Sequence, residues 1–223
     1  MRNSFWHNRW EQNEIAFHQK DVNQAFSSYW HLLNLPPRST VFVPLCGKSY
    51  DMIWLRDQSH RVIGVEFSPI AAKDFFDENA LSPTVTRHRT FECWAADDIT
   101  LYVGDFFALE SADTKTVDGV YDRAALIALP PTMREEYATH INAILPPQAP
   151  TLLITFEYPQ HEMEGPPFSV TQAEVQRLYQ DSNTIKKLVS KDVLNEIPRF
   201  RDKGLSSLRE VAYHLTPLWP GGF

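Results

Sequence analysis

The chain has 223 residues, 43% hydrophobic and 22% charged, which suits one soluble domain large enough to bury a core. A net charge of -7 without a basic run argues against nucleic acid as a partner. Cys46 and Cys93 form neither a disulfide framework nor a zinc spacing, the start is too polar for a signal peptide, and no apolar run nears the ~20 residues that span a bilayer, so a cytoplasmic location is expected.

In chain order, the pattern predicts two N-terminal helices, over residues 4–12 and 22–33, stopped by Pro36 and Pro37. Residues 39–43 are β-branched and apolar and read as a buried strand. A helix over 49–56 follows, then a short apolar strand over 61–65. Ser68 can cap a helix over 69–79, with Pro69 suited to its first turn. Residues 91–95 and 99–103 read as paired strands around a turn at 96–98. A strand over 116–122, a helix over 132–145 and a strand over 151–157 come next. Thr171 and Glu174 offer a capping box to a helix over 171–181, and strands over 185–190 and 210–215 close the chain. Alternating strands and helices argue for α/β layering with a mainly parallel sheet, and the closing strands for an antiparallel edge.

Ligands of open α/β sheets bind beyond the carboxyl ends of the strands, so the loop after Val43 draws attention first. Its single glycine, Gly47, allows close approach of a ligand to the backbone. It has neither the three glycines of a dinucleotide fingerprint nor the spacing of a phosphate loop. On these residues alone, a tight turn without a ligand and a ligand loop both fit. Glu66 ends the second strand, 66 − 47 = 19 residues after Gly47, where a carboxylate can accept both hydroxyls of a ribose. A solvated charge at a strand end is the plain alternative. S-adenosylmethionine carries no phosphate, so a one-glycine loop plus this carboxylate suits it better than NAD. Asp105 could accept from an adenine amino group and Phe106 could cover its ring, although an exposed turn followed by core aromatics fits the spacing equally. Arg123 would stand at the carboxyl end of the fourth strand, with a surface salt bridge as its bland alternative. Cys46 reads as a small buried residue, and the sequence implies no metal site.

Five segments together resemble the thiopurine S-methyltransferase family, particularly its bacterial members. They are Phe5-Trp6-x-x-x-Trp10 with Phe17-His18-Gln19, Val43-Pro44-Leu45-Cys46-Gly47-Lys48, Gly64-Val65-Glu66, Gly104-Asp105-Phe106-Phe107 and Asp122-Arg123-Ala124-Ala125-Leu126. The stretch Pro198–Gly204 matches more weakly. The resemblance implies a Rossmann-like, class I S-adenosylmethionine-dependent methyltransferase. Its sheet would be mostly parallel and seven-stranded, with an antiparallel C-terminal edge and flanking helices. Residues 1–223 would form a single domain in which 1–35 are a helical cover over the cofactor cleft.

Residue by residue, the resemblance implies that Trp6, Trp10 and Phe17 wall the cleft and that Leu45 and Gly47 offer backbone to the methionine part. Glu66 would hold the ribose, Asp105 and Phe106 the adenine, and Arg123 would lie near both methyl donor and acceptor. Arg199 or Arg201 would be a second catalytic arginine. The implied activity is methyl transfer to sulfur of small aromatic or heterocyclic thiols, with selenium or tellurium compounds as further acceptors. The partner would be a small molecule rather than nucleic acid or membrane, acting on a monomer. Two other readings stay open: an NAD-dependent oxidoreductase, which lacks its glycine-rich turn here, and a protein that binds or senses S-adenosylmethionine without turnover.

Overall fold

The computed structural model describes residues 3–12, 19 and 21–218. The apolar segments found in the sequence line up as strands of one sheet. In chain order they are β1 (Thr40–Val43), β2 (Arg61–Glu66), β3 (Thr84–His88), β4 (Phe91–Ala96), β5 (Ile99–Val103), β6 (Val117–Arg123), β7 (Thr151–Glu157), β8 (Asn183–Asp192) and β9 (Arg209–Pro217). Their spatial order is β3-β4-β5-β2-β1-β6-β7-β9-β8. Pairings β5–β2, β2–β1, β1–β6 and β6–β7 are parallel, and the pairings outside them are antiparallel.

The sheet therefore has nine strands, not the seven expected. The stretch from β5 to β8 carries the expected mostly parallel arrangement with its antiparallel C-terminal edge, and β4 and β3 extend the other side. β3 escaped the sequence reading because every one of its residues is exposed, leaving no buried face to impose an apolar alternation.

The helices are α1 (Asn3–Glu11), α2 (Gln24–Tyr29), α3 (Asp51–Asp57), α4 (Pro69–Glu78), α5 (Ser111–Thr114), α6 (Pro131–Ile144), α7 (Gln172–Tyr179) and α8 (Pro198–Asp202). The helix expected over 22–33 is shorter: Asn23 caps α2 by accepting from the Phe26 N–H at 2.8 Å, and Trp30–Leu33 continues as a 3-10 turn. Ser68 and Thr171 cap α4 and α7 as expected, but the capping box is only half made, because the Glu174 carboxylate pairs with Arg134 rather than returning to the Thr171 N–H.

Central strands are buried on both faces, which explains their continuous apolar runs. Phe42, Val65, Leu153 and Tyr213 face one core, shared with Tyr137 and Val175. Val41, Val43, Val62 and Leu152 face the other, packed under Phe26, Trp30 and Phe75. Both layers rise to the carboxyl edge of the parallel strands, which leaves the loops after β1, β2, β6 and β7 on one rim. No helix among the described residues is long and apolar enough to cross a membrane.

Candidate active site

The rim encloses a cleft lined by Trp6, Trp10, Leu45, Gly47, Glu66, Arg123 and Arg199, all of them residues expected from the sequence. Phe17 lies outside the described residues. Asp105 and Phe106 do not line the cleft. Phe106 is buried, with its ring stacked on Tyr137 at 5.0 Å and edge-on to His140, so its face covers core rather than cleft. Asp105 is exposed at the same sheet edge and accepts from the Phe107 N–H at 3.0 Å, capping the short turn that turns Phe106 inward. Of the two late arginines, Arg199 lines the cleft and Arg201 is exposed to solvent. They are two positions apart on α8, so they point to different sides.

The loop after β1 is built around Glu66. Gly47 donates its N–H to Oε2 at 2.8 Å and Ser68 donates to Oε1 at 2.7 Å. Each carboxylate oxygen is thus aimed by one backbone donor and keeps a lone pair for a ligand. Burial pushes the Glu66 carboxyl up, partly offset by the N–H groups of Ser68, Gly47 and Phe67. Leu45 and Gly47 both have positive φ, +44° and +53°, which turns the chain sharply enough to present that N–H. Trp10 packs directly over Gly47, where an added Cβ would lie 3.5 Å from its ring. That distance is ordinary contact, so the glycine is needed for the positive φ of the turn rather than for room beside the indole. Lys48 also borders the cleft, and its ammonium pairs with Glu78 at 2.6 Å and Asp74 at 3.4 Å. Cys46 is buried, and burial together with the nearby Glu66 charge holds its thiol well above the usual range, which disfavours the thiolate.

The opposite wall is cationic. Arg123 is the last residue of β6, and Ala124 at φ +63° breaks the strand there. Its Nη1 lies 3.4 Å from Asp51 Oδ2, which also accepts from the Tyr121 hydroxyl at 2.8 Å. Asp51 Oδ1 accepts from the Asn23 N–H at 2.9 Å, and Asn23 Nδ2 donates to Glu210 at 2.9 Å. Arg199 lines the same cleft, where burial and the Arg123 charge push its guanidinium down. Pro166 and Pro167 also line the cleft. Their loop is held by Tyr158, whose hydroxyl donates to the Pro167 carbonyl at 2.6 Å, and by Arg134, buried and bonded to the Ser169 carbonyl and Glu174.

Sequence reasoning missed Tyr121, Asp51, Glu210, Pro166 and Pro167. The strand-end rule could have flagged the Pro-Pro loop that follows β7. Asp51 and Glu210 gave only the weak signal of a carboxylate inside an apolar run. Among the described residues, no group of three or more His, Cys, Asp or Glu could hold a metal ion.

Three comparisons place this geometry among known proteins. Residues 1–217 match the family described as Thiopurine S-methyltransferase (TPMT). A thiopurine S-methyltransferase of Nitrosospira multiformis is 51% identical, over 96% of this chain and 98% of its own length. One from Pseudomonas entomophila is 46% identical over 97% and 100%. In fold, the chain is similar to a Burkholderia thailandensis 1,6-didemethyltoxoflavin-N1-methyltransferase solved with bound 1,6-didemethyltoxoflavin and S-adenosylhomocysteine. There the TM-score is 0.61 at 18% identity, covering 96% of this chain and 87% of the other. It is also similar to a TehB-like SAM-dependent methyltransferase from Corynebacterium glutamicum, with TM-score 0.57 at 13% identity, covering 97% and 98%.

Proposed function

The chain belongs to the thiopurine S-methyltransferase family, and on that premise we propose that it transfers the methyl group of S-adenosylmethionine to the sulfur of small aromatic or heterocyclic thiols. Selenium and tellurium compounds are further acceptors in this reading, on the strength of the family resemblance. A small molecule, rather than nucleic acid, suits both the enclosed cleft and the net charge of -7.

One observation carries the reading. A buried carboxylate with both oxygens aimed by backbone N–H groups shares one cleft with two arginines, and Glu66 and Arg123 end strands two apart in the sheet. Glu66 fits a ribose, because two oxygens with spare lone pairs match two vicinal hydroxyls. Trp6 and Trp10 offer aromatic faces, which suit a sulfonium cation. The bound cofactor supplies an electrophilic methyl group on that sulfonium.

The protein's own part is alignment and charge. A thiolate attacks in line and a neutral thioether leaves, so opposite charges cancel and no general base is required once the thiol is ionised. Arg123 and Arg199 favour the anionic acceptor; arginine stays charged and cannot serve as the base. Asp51 fixes the direction of Arg123 through Oδ2 and, with Glu210, balances the two guanidiniums. The site is then close to neutral before a thiolate and a sulfonium enter together, which disfavours entry of either charge alone.

Calorimetry with S-adenosylhomocysteine and NAD, followed by turnover of labelled cofactor with aromatic thiols, tests the reading. S-adenosylhomocysteine should bind, NAD should not, and a methyl thioether should form. Binding without turnover would leave only a cofactor sensor. Arg123→Ala should lower the transfer rate about 10-fold or more while changing cofactor affinity less, since it removes a charge beside the acceptor.

A further inference from the structure

We propose that Glu210 is a specificity-determining residue that accepts a ring N–H of the methyl acceptor. The site would then select heterocyclic thiols that keep such a donor when their sulfur is ionised. This deepens the function proposed above and rests on it.

Glu210 lies near the start of β9, directly opposite Phe156 of β7, and is buried at 8% exposure although it carries a charge. Its Oε2 accepts from Asn23 Nδ2 at 2.9 Å. Among the described residues, Oε1 has no hydrogen-bond donor and the carboxylate has no salt-bridge partner, yet the side chain lines the cleft with Arg123, Arg199 and Phe156. Its Oε1 is not sealed in the interior but opens onto the cleft, where a donor brought by a ligand can reach it.

Position separates acceptor from cofactor. From β1, whose loop presents Gly47, the sheet runs β6, β7, β9, so the Glu210 backbone is three strands away, about 14 Å at the usual strand spacing. It is one strand from β7, the side walled by Pro166 and Pro167. The arginines attract the ionised sulfur and Glu210 repels it. A ring with anionic sulfur and a second, uncharged N–H satisfies both ends in one orientation.

The test is calorimetry on protein loaded with S-adenosylhomocysteine, using benzimidazole-2-thiol and benzothiazole-2-thiol. The second replaces a ring N–H by sulfur and donates nothing there. Wild type and Glu210→Gln are compared by the ratio of the two affinities, which cancels differences in ionisation. The glutamine keeps an oxygen for Asn23 but turns an amide N–H toward the ligand. The expected result is a preference for the N–H ring that falls about 10-fold or more in Glu210→Gln and is partly kept in Glu210→Asp. An unchanged ratio overturns the assignment. So does an unchanged ratio with weakened S-adenosylhomocysteine binding, which would assign Glu210 to the cofactor's amino group. If Glu210→Gln does not fold, the ratio in Glu210→Asp decides: no fall from wild type overturns the proposal. A ratio that falls as expected, with no thiol methylated by wild type, would sink the proposed reaction while leaving the Glu210 contact standing.

Discussion

Glu66 is held by the same backbone groups that shape the loop around it, so its oxygens cannot turn away when a ligand arrives. Glu66→Gln keeps the size but replaces one oxygen with a donor that opposes a backbone N–H. We expect S-adenosylhomocysteine affinity to fall about 10- to 100-fold, the loss of one or two charge-assisted hydrogen bonds; unchanged affinity by calorimetry would remove Glu66 from the cofactor site. Asp122, next to Arg123, is a different kind of carboxylate. It is buried in the core, accepts from the Tyr137 hydroxyl at 2.7 Å and the Leu126 N–H at 3.4 Å, and burial pushes it up to about 6. Since its folded pKa exceeds the ordinary 3.8, the folded state binds the proton more tightly. Its contribution to stability is full below about pH 4 and is lost as pH rises through about 6, by ~3 kcal/mol. Asp122→Asn should flatten that part of the profile, and urea denaturation at pH 5 and pH 7 would show it. An unchanged pH slope would mean that Asp122 titrates normally.

At the scale of elements, the cleft is made by strand ends, the loops after β1, β2, β6 and β7, and α1. Gly47 illustrates how tightly they meet. An alanine there would find only ordinary contact with Trp10 at 3.5 Å, so the cost comes from φ +53° rather than from a clash. Gly47→Ala should lose about 1–2 kcal/mol of stability and should weaken cofactor binding, because any relaxation of φ swings the N–H away from Glu66. Denaturant midpoints and calorimetry on the same variant check both effects; wild-type values in both would mean that the turn is not under this constraint. The Pro-Pro loop is braced by Arg134, so that part of the cleft wall depends on a side chain that does not itself line the cleft. The same logic joins α2 to the site, since Asn23 caps that helix while binding Asp51 and Glu210.

For the whole molecule, a ligand in this cleft touches the loops of β1, β2, β6 and β7 together, and none of those contacts exists in an unfolded chain. S-adenosylhomocysteine at 100 times its dissociation constant should add about 2.7 kcal/mol of stability, or roughly 5–10 °C in Tm for a chain of this size. A scan with NAD at the same concentration should show no shift, and a shift with NAD alone would contradict the cofactor assignment.

Much of this architecture was legible in the sequence. The central strands announced themselves because burial on both faces demands continuous apolar runs. Ser68 and Thr171 announced helix starts because capping is a local bond. The motif segments marked Trp6, Trp10, Leu45, Gly47, Glu66 and Arg123, and the structure gathers all six on one cleft. Other features were settled only in three dimensions. β3 belongs to the sheet through backbone pairing alone, which leaves no apolar pattern to read. Phe106 faces the core rather than the cleft because Tyr137, 31 residues further on, offers it a ring to stack on. That Arg199 borders the cleft while Arg201 is exposed follows from which side of a five-residue helix meets the cleft. The link from Asn23 to Asp51 and Glu210 spans 28 and 187 residues of chain. Periodicity and capping are short-range and are written in neighbouring residues; the partner of a buried charge is chosen by packing, and packing joins residues that the sequence keeps far apart.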